Sequence, residues 1–426
     1  MSGAPPFPTA LGTYLYRRRF RSHRPRVCVS AALSDDAPDA GLTKDDVVLE
    51  AQVGRKGYRT VQAWPPPKGA RSAEGDVVMD VWVGRLARGE RANTRCLVKE
   101  YRGAGATPEN LKQLKGLDSR RAAARMAASE FAAHCKLQPP LSEYVDEHVT
   151  KLLGAFTADG AAWTVQRYDG CFETAGSFLQ GRGEGGDTFT NADSWLDFLG
   201  GGRAETRRRV YLAEFTRQAL KGVAHCHKCG ILHGAIGEES FLVSALQDTE
   251  ASRMRVWLTD LAFSVDIASS LAEWVASGGG GGEGGREDED NYGFMLWRRA
   301  EKMGGCTNPE ELRAYGEAED VLAVGKLVLG MAVLPYARQS GGVTEYESFY
   351  RLLDSAFEGK EGRRAKEFRD YVSQDPGLAP AVEVLDMDGG AGWDFVDGLI
   401  DPDWRTRLTV QQALDHPFCA VRGGFR

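Results

Sequence analysis

An α+β fold is predicted from three observations. Between residues 47 and 99 the chain carries short apolar, β-branched runs broken by Gly and Pro, the pattern of antiparallel strands. Segments 118–137 and 210–224 are instead built of good helix formers, the second with Leu212, Phe215, Ala219, Leu220 and Val223 on one face. At 426 residues the chain has ample capacity to bury a core, as one large bilobal domain or two ordinary ones.

Bulk composition narrows the function classes. Hydrophobic content of 42% and charged content of 27% are those of an ordinary globular protein. No stretch approaches the roughly 20 uninterrupted apolar residues that span a bilayer; Leu327 to Leu334 is too short and follows Lys326. Arg17, Arg18, Arg19, Arg21, Arg24 and Arg26 all precede the first acid, Asp35, and without them 47 basic residues face 60 acidic ones, a net charge of −13. That balance argues against nucleic acid or an anionic membrane as the main partner. The eight cysteines are scattered and read as free thiols of a reducing compartment. His225-Cys226-His227-Lys228-Cys229 is the one cluster resembling a metal site, but no second C-x-x-C exists, so it reads as the end of a buried helix.

Residues 1–34 are Arg-rich, free of acid, and lack hydrophobic periodicity. They read as an organelle transit peptide, plastid rather than mitochondrial, or else as a disordered basic arm of a cytoplasmic protein. Strand runs follow at Val47-Val48-Leu49, Thr60 to Trp64, Val77 to Val83 and Cys96 to Lys99, with the Pro-rich insertion 65–72 between the second and third. Helix 118–137 has no internal Gly or Pro, and Asp118 or Ser119 suits its start. Runs at His148 to Phe156 and Trp163 to Gly170 add two strands, and Gly181 to Gly202 reads as an insertion. The segment 277–290, five Gly and then Glu-Gly-Gly-Arg-Glu-Asp-Glu-Asp, lacks the apolar residues needed to order itself.

Helix 210–224 leads into Gly230-Ile231-Leu232-His233-Gly234-Ala235-Ile236-Gly237-Glu238-Glu239-Ser240-Phe241-Leu242-Val243. This stretch resembles the catalytic loop of eukaryotic protein kinases, G-I-x-H-R-D-L-K-x-x-N-x-L. Gly230, Ile231, His233 and Leu242 fit, whereas Gly234 stands for the Arg, Ala235 for the Asp, Gly237 for the Lys and Ser240 for the Asn. Other landmarks follow in the family's order. Gly54 to Val61 resembles G-x-G-x-x-G-x-V with Lys56 and Arg59 in two glycine positions, and Cys96-Leu97-Val98-Lys99 resembles V-A-I-K. Asp260-Leu261-Ala262 resembles D-F-G, and Trp297-Arg298-Arg299-Ala300-Glu301 resembles Y-R-A-P-E without its Pro. Glu319 to Leu329 resembles the αF helix with Asp320 at its start, and Asp403 to Phe418 matches D-P-x-x-R-x-T-x-x-x-A-L-x-H-P-F.

The resemblance covers roughly residues 45 to 420. It implies a bilobal protein-kinase-like fold: a small antiparallel-sheet lobe with an αC helix over 45–168, and a larger, mainly helical lobe over 169–421 with insertions about 181–204 and 277–290. It implies ATP and Mg²⁺ as cofactors, with Gly54, Val61, Lys99, Glu130, Tyr168 and Asp260 at nucleotide-binding positions and Asp260 and Ser240 at metal positions. Glu130 is the implied partner of Lys99, Gln166 the gatekeeper, the backbone of Arg167 to Asp169 the adenine-facing segment, and Glu301 the partner of Arg407.

Phosphoryl transfer in this family rests on positioning and charge, with an Asp accepting the substrate proton and an Asn and an Asp holding Mg²⁺. Ala235 has no proton acceptor, and Ser240 offers at best a neutral oxygen where hard cations favour carboxylates and amides. The resemblance therefore implies a catalytically impaired protein kinase relative, a pseudokinase with a regulatory or scaffolding role and a protein partner. The alternative is an active atypical serine/threonine kinase in which Glu238 or Glu239 replaces the lost base.

Overall fold

The computed structural model describes residues 41–58, 77–89, 91–103, 119–138, 148–171, 173–180, 204–278, 292–339, 348–349, 353 and 365–420. The N-terminal segment 1–34, the predicted strand Thr60 to Trp64, Val61, the insertion 65–72, and most of the insertions at 181–204 and 277–290 lie outside these residues.

Strand formation begins where Val47-Val48-Leu49 starts the β-branched pattern. Strands β1 (Val47–Tyr58), β2 (Val77–Leu86), β3 (Arg95–Gly103), β4 (Leu152–Ala158) and β5 (Ala161–Arg167) form one antiparallel sheet in the order β1-β2-β3-β5-β4. Alternation along central β3 sorts its side chains onto two faces. Cys96 and Val98 pack with Leu86, Trp163 and Val165 on one face, while Leu97, Lys99 and Tyr101 project from the other. Helix α1 (Ser119–Leu137) lies over that second face, where Ala123, Met126 and Ala127 pack with Met79, Tyr101 and Ala262.

The glycine-loop register expected over 54–61 is corrected by the sheet. Gly54 to Tyr58 continues β1 as extended strand, with Gly54 opposite Val81 and Tyr58 opposite Val77. The resemblance to G-x-G-x-x-G-x-V implies a loop there. Arg55 and Lys56 fit an edge strand equally well, and the long second strand beginning at Val77 gives them a partner.

Helices α2 (Ala175–Leu179), α3 (Ala204–Lys228), α4 (Ile267–Ala276), α5 (Tyr292–Lys302), α6 (Pro309–Gln339), α7 (Ala365–Val372), α8 (Ala379–Leu399, broken by a kink at Met387 to Gly390), α9 (Val410–Asp415) and α10 (Pro417–Ala420) make up the second part. Its core joins Tyr211, Phe215 and Leu220 of α3 with Val324, Leu327 and Val328 of α6 and Phe395 and Val396 of α8. Helix α6 is long and apolar enough to cross a membrane by length and composition, yet 89% of its apolar window is buried inside the protein. Two short antiparallel ribbons, β6 (Ile231–Leu232) with β9 (Val265–Asp266) and β7 (Phe241–Val243) with β8 (Val256–Leu258), complete the fold, with β6 and β8 against α3.

Two further expectations are revised. Asp320 does not start its helix: α6 begins at Pro309, where the Asn308 side chain accepts the Glu311 N–H at 2.9 Å. Arg407 pairs with Glu319 at 3.2 Å and donates to the carbonyls of Ala318 and Asp401 at 2.8 and 2.9 Å. Glu301 accepts the Trp274 indole N–H instead, at 2.9 Å. With Ala300 in place of a helix-breaking Pro, residues 297–301 continue inside α5, and this α5 carboxylate is tied to α4.

Candidate functional site

Glu130 organises the deepest part of the site. Tyr101, Thr164 and Gln166 on strands β3 and β5 all point at α1, where Glu130 is fully buried. Its carboxylate accepts from Lys99 Nζ at 2.5 Å, Tyr101 Oη at 2.8 Å, Thr164 Oγ1 at 2.9 Å and Gln166 Nε2 at 3.0 Å. Burial works to raise its pKa, but the Lys99 ammonium and its hydrogen bond overcome this and hold the carboxyl below the ordinary range. Sequence reasoning named Lys99, Glu130 and Gln166 but missed Tyr101 and Thr164. Both lie at even spacing from named residues on their strands, Tyr101 two beyond Lys99 and Thr164 two before Gln166.

The loop at 233–240 is anchored from α6. Buried Asp320 accepts the His233 N–H at 2.8 Å, the Gly234 N–H at 2.9 Å and the His227 Nε2–H at 3.0 Å. His227 of the Cys/His cluster is thus a packing residue, and no group of three metal-ligating side chains occurs among the described residues. His233 Nε2 donates to the Thr259 carbonyl at 2.9 Å, which fixes the ring between the loop and β8. Gly234 sits at φ +75°, and a Cβ there would meet the Phe263 carbonyl at 2.7 Å. Only glycine fits that conformation and approach without a shift.

The two acids of this loop lie beside α2. Glu239 lies against the first turn of α2, with Oε1 2.5 Å from where a Cβ on Gly176 would stand, and Glu238 Cγ is 3.4 Å from the same point. Ser240 is 1% exposed, and its hydroxyl accepts the Gly237 N–H at 2.9 Å and donates to the Ala235 carbonyl at 3.2 Å. Its proton and one lone pair are committed to the loop itself.

Asp260 follows β8 in the left-handed conformation, φ +65° and ψ +50°, and is 4% exposed. Its Oδ2 lies 3.1 Å from Lys56 Nζ, which reaches in from β1. Burial works to raise its pKa, but Lys56, Lys99 and His233 bring it down to about 2. Mg²⁺ requires several oxygen ligands in near-octahedral array. The carboxylate is already engaged by an ammonium and the Ser240 hydroxyl by its own loop, so this donor set does not fit Mg²⁺.

The sheet meets the helical part along an apolar seam. Val83 and Leu97 from the sheet pack into one cluster with Cys171 and Leu242, with Val53, Val81, Tyr168 and Trp257 at its margin. Leu97 is 3% and Leu242 7% exposed, so a planar base entering between them has to part them. Val81 of this margin lies opposite Gly54. Tyr168 lies beneath the Arg95 guanidinium, 4.6 Å from its ring centre. The N–H groups of Arg167 and Tyr168 are bonded to the carbonyls of Lys151 and Arg95, at 2.7 and 3.1 Å.

No family model matches the sequence, and no curated protein matches it. Among solved structures, the chain is similar to the twitchin kinase region from C. elegans at 13% identity and a TM-score of 0.45, over 90% of this chain and 47% of that one. It is also similar to a C. elegans twitchin kinase fragment, described as an autoregulated protein kinase with immunoglobulin domains, at 14% identity and a TM-score of 0.43. That match covers 90% of this chain and 60% of the other. The chain thus spans about half the length of these structures.

Proposed function

We infer that the chain is a protein-kinase-like module that does not transfer phosphoryl groups and acts by binding a protein partner, in a regulatory or scaffolding role. One observation carries this reading. The loop is held in place by Asp320 through the His233 and Gly234 N–H groups and by His233 on Thr259, yet the residue it presents at the position of the base is Ala235. The scaffold for catalysis is kept while the proton acceptor is gone. Loss of a general base alone costs about 10²- to 10⁴-fold. Here it is compounded by a donor set unsuited to Mg²⁺ and by Glu238 and Glu239 lying against α2.

The ATP and Mg²⁺ expected from the resemblance have weak support in this reading, because the apolar seam is packed by its own side chains. Transfer of labelled γ-phosphate from ATP to generic protein substrates and to the chain itself tests the reading. The purified protein is expected to give no label above that of Lys99→Met. Label that depends on Lys99 would overturn it.

A further inference from the structure

Asp260 has found a cation within its own chain. Lys56 stands in β1, in the sheet, and Asp260 follows β8, so their ion pair joins segments 204 residues apart in sequence. The carboxylate is nearly buried and the Lys56 side chain is 36% exposed. A buried carboxylate needs a counter-charge. In an enzyme handling nucleotide this charge is supplied by a metal ion that arrives with the ligand, whereas here it is covalently tethered.

The same seam is closed at other points by the protein's own groups. Thr259 Oγ1 donates to Gln166 Oε1 at 3.2 Å, linking the end of β8 to β5. Ser129 Oγ of α1 donates to the Ser264 carbonyl at 3.1 Å, and Lys136 of α1 pairs with Asp266. Lys99 is turned to Glu130. Counting Lys56 and Lys99 against Glu130 and Asp260, the formal charges of the cluster cancel. Neither a cation nor a polyanion meets an uncompensated charge among these four groups.

The geometry points to Lys56 as a built-in replacement for a divalent cation on Asp260, which holds the sheet closed on the helical part without metal or nucleotide. The partner-binding shape is then present at all times rather than gated by ligand. This rests on the non-catalytic reading above and deepens it. A divalent cation has to compete with Lys56 for Asp260 instead of adding to the structure.

Thermal unfolding of the full chain tests this in EDTA, in MgCl₂ and in MgCl₂ with ATP, at matched ionic strength. The protein is expected to melt at one temperature in all three. Lys56→Met should melt several degrees lower in EDTA, Lys56→Arg should stay near the parent, and Lys56→Met/Asp260→Asn should lose less than the two single changes together. Hydrogen exchange in Lys56→Met should quicken over 54–58, 77–81 and 256–263 and stay unchanged in α6 and α8, which separates an opened seam from general unfolding. Stabilisation of the parent by Mg²⁺, with or without ATP, overturns the inference, as does a Lys56→Met protein that melts with the parent. Those results leave the absence of phosphoryl transfer standing, whereas Lys99-dependent label overturns the functional reading instead.

Discussion

Replacing Glu130 by Ala is the sharpest test of how the sheet and α1 are held together. The change removes a fully buried carboxylate that accepts four hydrogen bonds, one of them from Lys99, itself only 4% exposed. Breaking a buried pair by removing one partner costs about 3–5 kcal/mol, because the remaining charge is left uncompensated. Against a typical total stability of about 5–15 kcal/mol this is a large share. Urea unfolding followed by tryptophan fluorescence reads it as a lower midpoint at unchanged slope. Adding Lys99→Met to Glu130→Ala removes the stranded ammonium, so the double variant should be about 1–3 kcal/mol more stable than the sum of the singles. A Glu130→Ala protein within about 1 kcal/mol of the parent, or strictly additive effects, would refute the view that this pair is a coupled, desolvated unit.

Two further outcomes follow from the loop and its anchor. Gly234→Ala should destabilise by at least about 1–2 kcal/mol for its left-handed backbone, and more because its Cβ meets the Phe263 carbonyl. Gly230→Ala, at φ +73° with nothing within 4 Å of the added Cβ, should cost the backbone share alone, and equal losses at the two sites in urea unfolding would contradict the close approach. Stability should also fall in acid. Glu130, Asp260 and Asp320 all have pKa values lowered in the folded protein, Asp260 to about 2. A lowered carboxyl contributes stability that is present above its unfolded pKa and is lost as pH falls through the folded one. Unfolding free energy measured from pH 6 downward should therefore start to decline near the ordinary values of 4.5 and 3.8 and continue toward pH 2. A flat profile across that interval would contradict the assignment.

Much of this site was legible as ordered residue types. Lys99, Glu130, His233, Asp260 and Asp320 stood out because the motifs around them resemble protein-kinase landmarks in the family's order, and the structure brings them to one seam. Tyr101 and Thr164 were missed because a hydroxyl on a strand is unremarked until the helix that buries it is placed. Lys56 was noticed as a misplaced glycine, but its partner lies 204 residues away. The Arg407 expectation failed through one substitution: Ala300 lets α5 continue and leaves Glu301 on Trp274, while Glu319 on α6 takes the arginine.

By itself the sequence determined most of the strands and the amphipathic helices, since these depend on residue type and on periods of two or 3.6 along the chain, whereas Ala235 in the place of a base is what the resemblance implies. Only the tertiary structure decided that Gly54 to Tyr58 is strand rather than turn, that Asp320 caps a distant loop rather than its own helix, and that Lys56 answers Asp260. Each of those is a pairing between segments remote in sequence. Burial makes such pairings strong, because a desolvated N–H or carboxylate must find a partner, and local pattern does not say which one it finds.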